Sequence, residues 1–164
     1  MTDEQTAPLL IAWHSRTGGA EALAKAAKEG AGDLARIARC DDVNPDDALN
    51  AAGFLFVCPE NLATMSGLMK EMFDRLYYPC LGKLEGRAYA TIIAAGSDGA
   101  GAQAQIDRIA KGWRLKRVAP PMIENFQAQT PEKIMAPKTA ADAALKQARE
   151  MGEGLAEGLH AGIF

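Results

Sequence analysis

The chain has 164 residues, 48% hydrophobic and 24% charged, with a formal charge of −3. That is ordinary for one soluble globular domain, gives no electrostatic case for nucleic acid or an anionic membrane, and allows roughly 70% of the unfolded surface to be buried in one core. No apolar run approaches the ~20 residues that cross a bilayer, and Met1-Thr2-Asp3-Glu4-Gln5 is polar and acidic, unlike a secretory signal, so a cytoplasmic location is expected.

Residues 1–7 lack periodicity and read as a loose arm. Leu9 to Trp13 is an unbroken apolar run, as expected for a parallel strand covered on both faces. It stops at His14-Ser15-Arg16-Thr17-Gly18-Gly19, and an alanine-rich helical pattern then runs from Glu21 to Gly32. A strand that feeds a helix through so tight a loop makes an anion seat, because unpaired N–H groups and the positive helix end favour phosphate. Leu34 to Arg39 suits a short strand near an edge, and Asp46 to Ala52 a short helix. Gly53 to Cys58 is the most strand-like run, central in the sheet and halted by Pro59.

After a loop from Pro59 to Met65 comes a helix with Ser66 as its N-cap, whose Leu68, Met69, Met72, Phe73, Leu76 and Tyr77 share one face. Ala88 to Ala95 is the next strand, ending in Gly96-Ser97-Asp98-Gly99-Ala100-Gly101 before a helix from Ala102 to about Trp113. Pro120-Pro121 precedes a last strand near Met122 to Phe126. Pro131 and Pro137 punctuate a loop, and Thr139 with Asp142 resembles the start of a final helix bearing Ala144, Ala148, Met151, Leu155 and Leu159. The βαβαβαβαβα order predicts one domain over residues 1–164, a parallel sheet with helices on both faces. Cys40, Cys58 and Cys80 have neither CxxC nor metal-ligand spacing and read as buried or bystander thiols, with no disulfide and no metal expected.

In an open parallel sheet, ligands bind outside the strand carboxyl ends, so the loops at 14–20, 59–66 and 96–102 should converge on one crevice. His14-Ser15-Arg16-Thr17-Gly18-Gly19 resembles the phosphate loop of flavodoxin-like proteins. Pro59 to Gly67 with Lys70, Phe73, Asp74 and Arg75 is similar to a segment of flavodoxin-fold NAD(P)H-dependent FMN reductases and quinone reductases. The resemblance implies a flavodoxin-like, doubly wound five-stranded parallel sheet of order 2-1-3-4-5. It implies FMN held by Ser15, Arg16, Thr17, Gly18, Gly19 and Ala20 at the phosphate. At the ring it implies Pro59, Glu60, Asn61, Leu62, Ala63, Thr64 and Met65, with Gly96, Ser97, Asp98 and Gly99 in the second ring loop.

The implied function is an oxidoreductase that passes reducing equivalents from NADH or NADPH through FMN to a quinone or other small-molecule acceptor. Homodimers or higher oligomers are expected by analogy, and neither nucleic acid nor membrane insertion. The alternatives are a flavodoxin-type electron carrier with a protein partner, and a non-catalytic binding or signalling module. Electron carriers of this fold typically sandwich flavin between aromatics and are strongly acidic, whereas residues 59–66 and 96–101 contain no Trp, Tyr or Phe. No residue is assigned as catalytic: His14 and Asp74-Arg75 read as structural, and Asp98 divides between a turn role and a ligand contact. Gly99 to Ala104 is a GxGxxA match to a dinucleotide site, a weak signal by itself. Arg114, Lys116 and Arg117 read as a solvated helix end, with a nicotinamide 2′-phosphate as their other use.

Overall fold

The central strands earn their place by alternation between two apolar layers. A computed structural model describes residues 8–164, so the arm expected over residues 1–7 lies outside the described residues. In chain order the elements are β1 (Leu9–Trp13), α1 (Gly19–Ala31), β2 (Ala35–Arg39), α2 (Pro45–Leu49), β3 (Gly53–Asn61), β4 (Thr64–Met65) and α3 (Gly67–Cys80). Then follow β5 (Ala88–Ala95), α4 (Ala100–Gly112), β6 (Lys116–Arg117), β7 (Met122–Asn125), α5 (Pro131–Met135) and α6 (Asp142–His160).

Leu9, Ile11, Leu55, Val57 and Ile92 face a layer built by α1 and α6, whereas Leu10, Ala12, Phe54 and Phe56 face α2, α3 and α4. Both faces of β1, β3 and β5 are therefore buried, which is why these strands read as unbroken apolar runs. The sheet order is β2-β1-β3-β5-β6, with β7 also pairing β5. β6 and β7 together make the fifth strand position, split around the Pro120-Pro121 break, so the flavodoxin-like 2-1-3-4-5 order holds. All pairings in this sheet are parallel, which brings the loops after β1, β3 and β5 to one edge.

Several local expectations are corrected. Pro59 does not halt β3; the strand continues to Asn61 and folds back antiparallel onto β4, with Glu60 opposite Met65. Ser66 stands at the N-cap of α3 without a side-chain cap bond; its hydroxyl is used elsewhere. Leu68 is 40% exposed and points away from the core that Met69, Met72, Phe73 and Leu76 fill. Residues 131–135 are helical rather than loop, started by Thr130, whose hydroxyl accepts from the Lys133 N–H at 3.3 Å. Thr139 does not start the last helix, whose N-cap is Ala141. Cys40, Cys58 and Cys80 are buried free thiols, and burial pushes Cys58 up to about 12 and Cys40 to about 11.

Candidate functional site

The three loops at the carboxyl edge meet around a cavity of about 260 Å³. The first loop begins with the His14 N–H still bonded to the Val57 carbonyl at 2.9 Å, which carries the β1–β3 pairing one residue past β1. Ser15 Oγ then accepts from the Gly18 N–H at 3.0 Å and turns the chain into α1, whose N-cap Gly18 has φ 101° and offers no side chain. Among the described residues, the N–H groups of Arg16, Thr17, Gly19 and Ala20 have no bonded partner, and they surround a helix start with no built-in cap.

His14 Nδ1 lies 2.8 Å from Ser66 Oγ, tying this loop to the start of α3. Burial lowers the His14 pKa, Arg39 and Arg16 lower it further, and Asp41 opposes them, so the ring is neutral at pH 7. The histidine is thus a structural link, and it explains why Ser66 is unavailable as a cap.

The second loop is the β3–β4 hairpin. Its tip residues Leu62 and Ala63 have φ of 54° and 61°, left-handed values that cost of order 1–3 kcal/mol each for a residue with a Cβ. The surroundings hold that geometry. Glu60 accepts from the Gly99 N–H at 2.8 Å and the Ala102 N–H at 3.0 Å, and the Met65 N–H donates to Gln105 Oε1 at 2.8 Å. The Ala63 carbonyl packs so closely on Gly101 that a Cβ there would collide with it. Leu62 remains 98% exposed on the cavity wall.

The third loop is a turn in which Asp98 Oδ1 accepts from the Ala100 N–H at 3.3 Å. A strap over residues 126–138 runs beside it: the Phe126 N–H donates to the Ala95 carbonyl at 2.7 Å and the Ala128 N–H to the Gly96 carbonyl at 2.8 Å. The strap then crosses the first loop. A Cβ on Gly19 would lie 2.8 Å from the Phe126 ring, and the Lys138 N–H donates to the Thr17 carbonyl at 2.7 Å.

Of the residues nominated from sequence, Ser15, Arg16, Thr17, Gly19, Ala20, Pro59, Glu60, Asn61, Leu62, Ala63, Gly96 and Ser97 line the cavity. Five lie outside its wall. Gly18 is the N-cap behind the loop, and Thr64 turns its hydroxyl to the Asn61 and Met65 carbonyls at 3.0 Å each. Met65 is buried in the core beneath the hairpin, Asp98 serves its turn, and Gly99 is taken up by Glu60 and by packing against Ile123. Sequence reading missed Ala94 and Ala95 on the floor, and Phe126, Ala128, Ile134 and Lys138 on the strap. The Thr130-Pro131 helix start was a legible signal for α5, but nothing local says that the strap returns to the first loop.

The other charged candidates are structural. Asp74 pairs with Lys70 at 2.6 Å, while Arg75 pairs with Glu71 at 2.5 Å and donates to the Val43 and Cys40 carbonyls. Arg117 is bound to Asp107 and stacked on Tyr89, next to β5 at its amino end and so on the edge opposite the cavity. This placement removes the 2′-phosphate use of that basic cluster.

Comparison with known proteins bears on the same elements. Residues 45–126, half of the chain, match the family model of NADPH-dependent FMN reductase. The chain belongs to that family. The family match runs from α2 to the residue after β7, so it takes in the hairpin and third loop but neither the first loop nor Lys138. A flavodoxin of Aquifex aeolicus (strain VF5) is 28% identical over 97 residues, 57% of this chain and 52% of that one, so the match spans about half of the relative's length. Among solved structures, a flavodoxin from the domain Archaea superposes with TM-score 0.74 at 16% identity over 93% of this chain and 99% of its own. A flavodoxin, WrbA-like protein from Agrobacterium tumefaciens gives 0.72 at 14% identity, over 94% and 98%. These likenesses establish the flavodoxin-like fold of this FMN reductase family member. The GxGxxA match at Gly99 to Ala104 is not an open phosphate site in it, since the Glu60 carboxylate already occupies that helix start.

Proposed function

We propose that this protein binds FMN in the carboxyl-edge cavity and carries reducing equivalents from NADH or NADPH to a quinone or another small acceptor. The observation that carries the reading is the uncapped start of α1, with four free N–H groups and two hydroxyls, sharing one cavity with an exposed apolar hairpin in a chain of the NADPH-dependent FMN reductase family. Bound FMN would supply the hydride-accepting and hydride-donating chemistry.

The residues present fit such a group. Ser15, Thr17 and the N–H groups of Arg16, Thr17, Gly19 and Ala20 suit a phosphate dianion, since hydrogen bonds to charged acceptors are the strong ones. The main chain of Pro59 to Ala63 offers polar groups for a ring edge, Leu62 an apolar cover, and Gly96 and Ser97 the opposite rim. At about 260 Å³ the cavity falls just below the range of ordinary small-molecule sites, so a bound flavin would be left partly uncovered and open to a second planar molecule. Nicotinamide and acceptor would then use the same place in turn. Among the described residues Glu60 is the one carboxylate in the wall, and both its oxygens are bonded to the start of α4. The protein therefore contributes binding and orientation, with no side chain in the wall poised to move a proton.

The likeness to the Aquifex flavodoxin favours a second reading, an electron carrier that docks a protein partner. One measurement separates them. The purified protein, loaded with FMN, should oxidise NADH or NADPH with a quinone in multiple turnovers; a flavin-loaded protein that oxidises neither would favour the carrier reading. A colourless protein that also fails to take up added FMN would remove both readings.

A further inference from the structure

We infer that Lys138 is the charged partner of the cofactor's phosphate, delivered to the first loop by the strap; this rests on the FMN reading above. Its Nζ is 3.3 Å from Thr17 Oγ1, 3.0 Å from the Ile134 carbonyl and 2.6 Å from the Ala136 carbonyl. All three are neutral acceptors, and among the described residues no carboxylate pairs with it. The two carbonyls and the Lys138 N–H bond to the Thr17 carbonyl hold the half-buried side chain in one place, so little freedom is left to lose on binding. The longest of the three bonds, to Thr17, is the one a phosphate oxygen would replace. The Thr17 hydroxyl only accepts from Lys138, so its own hydrogen is available to donate to the same phosphate.

The competing cation is less suited. Arg16 is exposed, makes no hydrogen bond or ion pair among the described residues, and has no second attachment to fix its direction. The other helix start at the cavity edge is closed to a phosphate because Glu60 already places a negative charge there. Positive charge held on the strap and negative charge held on the hairpin leave one end of the cavity for the dianion.

The test compares FMN with riboflavin, which lacks the phosphate, by fluorescence titration of wild type, Lys138→Gln, Lys138→Arg and Lys133→Gln. Lys133 lies on the same strap, is exposed, and controls for charge in general. Lys138→Gln should weaken FMN about 10- to 100-fold and leave riboflavin within about twofold, as expected for loss of one charged hydrogen bond. Lys138→Arg should retain more FMN affinity than Lys138→Gln, and Lys133→Gln should stay within about twofold of wild type. Equal loss of riboflavin and FMN in Lys138→Gln would show that the lysine only staples the strap and overturn the inference. Unchanged FMN affinity, equal loss in both Lys138 variants, or equal loss in Lys133→Gln would overturn it as well. In each of those cases the FMN reading survives, whereas wild type that binds neither ligand overturns both.

Discussion

Two helices start at the cavity edge in nearly the same way and end up with opposite uses. α1 follows Gly18 at φ 101° and α4 follows Gly99 at φ 91°, and neither N-cap residue supplies a side-chain bond. Each start therefore leaves N–H groups and a positive dipole end facing the crevice. At α4 the chain itself supplies the anion, Glu60 from the hairpin, so the third loop is closed and the hairpin is locked to the helix. At α1 no carboxylate arrives among the described residues; a lysine arrives instead, and the N–H groups stay free of partners among those residues. A glycine-rich turn before a helix is thus no more than an opportunity. What reaches it from elsewhere in the fold decides whether it binds a ligand or braces the structure.

The most direct way to break this contrast is at α1. Replacing Ser15 with Ala and Thr17 with Val together removes both hydroxyls from the open start. FMN affinity should fall about 100-fold, roughly 2.7 kcal/mol, with riboflavin little changed. Unchanged FMN affinity in a titration would place the phosphate elsewhere. The next largest effect is at the brace. Gly101→Ala puts a methyl into the Ala63 carbonyl, and such overpacking costs about 1–3 kcal/mol. Thermal unfolding should drop by several degrees, and riboflavin should weaken because the displaced hairpin carries the ring-side wall. A variant as stable as wild type would show that the hairpin is not held on α4.

Sequence patterns carried the frame of the molecule much further than they carried the brace. The runs at Leu9–Trp13 and Ala88–Ala95 and the helix face of Met69, Met72, Phe73 and Leu76 were legible because burial repeats with a fixed period. Convergence of the three loops followed from parallel topology alone. Pro59 misled because its missing N–H matters only inside a sheet, and β3 at that point has left its β1 neighbour and is running out into a hairpin. Glu60 as the cap of a helix that starts 40 residues later, Ser66 as a partner of His14, and Lys138 as a partner of Thr17 have no local signature. Each is a tertiary meeting, and those meetings decide which loop is open.

A smaller change sharpens the comparison from the α4 side. Glu60→Gln keeps the shape but removes the charge and one of the two acceptor oxygens that face the Gly99 and Ala102 N–H groups, so stability should fall by about 1 kcal/mol, a shift of about 2–4 °C in Tm. The ratio of FMN to riboflavin affinity should not move, because the proposed phosphate seat is at α1. A ratio that rises in Glu60→Gln would show that the third loop is the anion seat once its internal occupant is weakened.

The smallest effect is a pH dependence that belongs to the α1 side alone, through the His14–Ser66 link. Burial, then Arg39 and Arg16, lower the His14 pKa below its ordinary 6.5, so the folded protein favours the neutral ring and the unfolded chain takes up the proton first. The stability that depends on this neutral ring is complete above about pH 6.5 and is lost as pH falls from there through the lower folded value. His14→Asn keeps a polar partner for Ser66 but does not titrate. The Tm advantage of wild type over His14→Asn should therefore narrow between pH 8 and pH 5, while carboxylate effects common to both proteins cancel. An advantage that stays constant over that range would mean the ring titrates in the folded protein as it does in the unfolded chain.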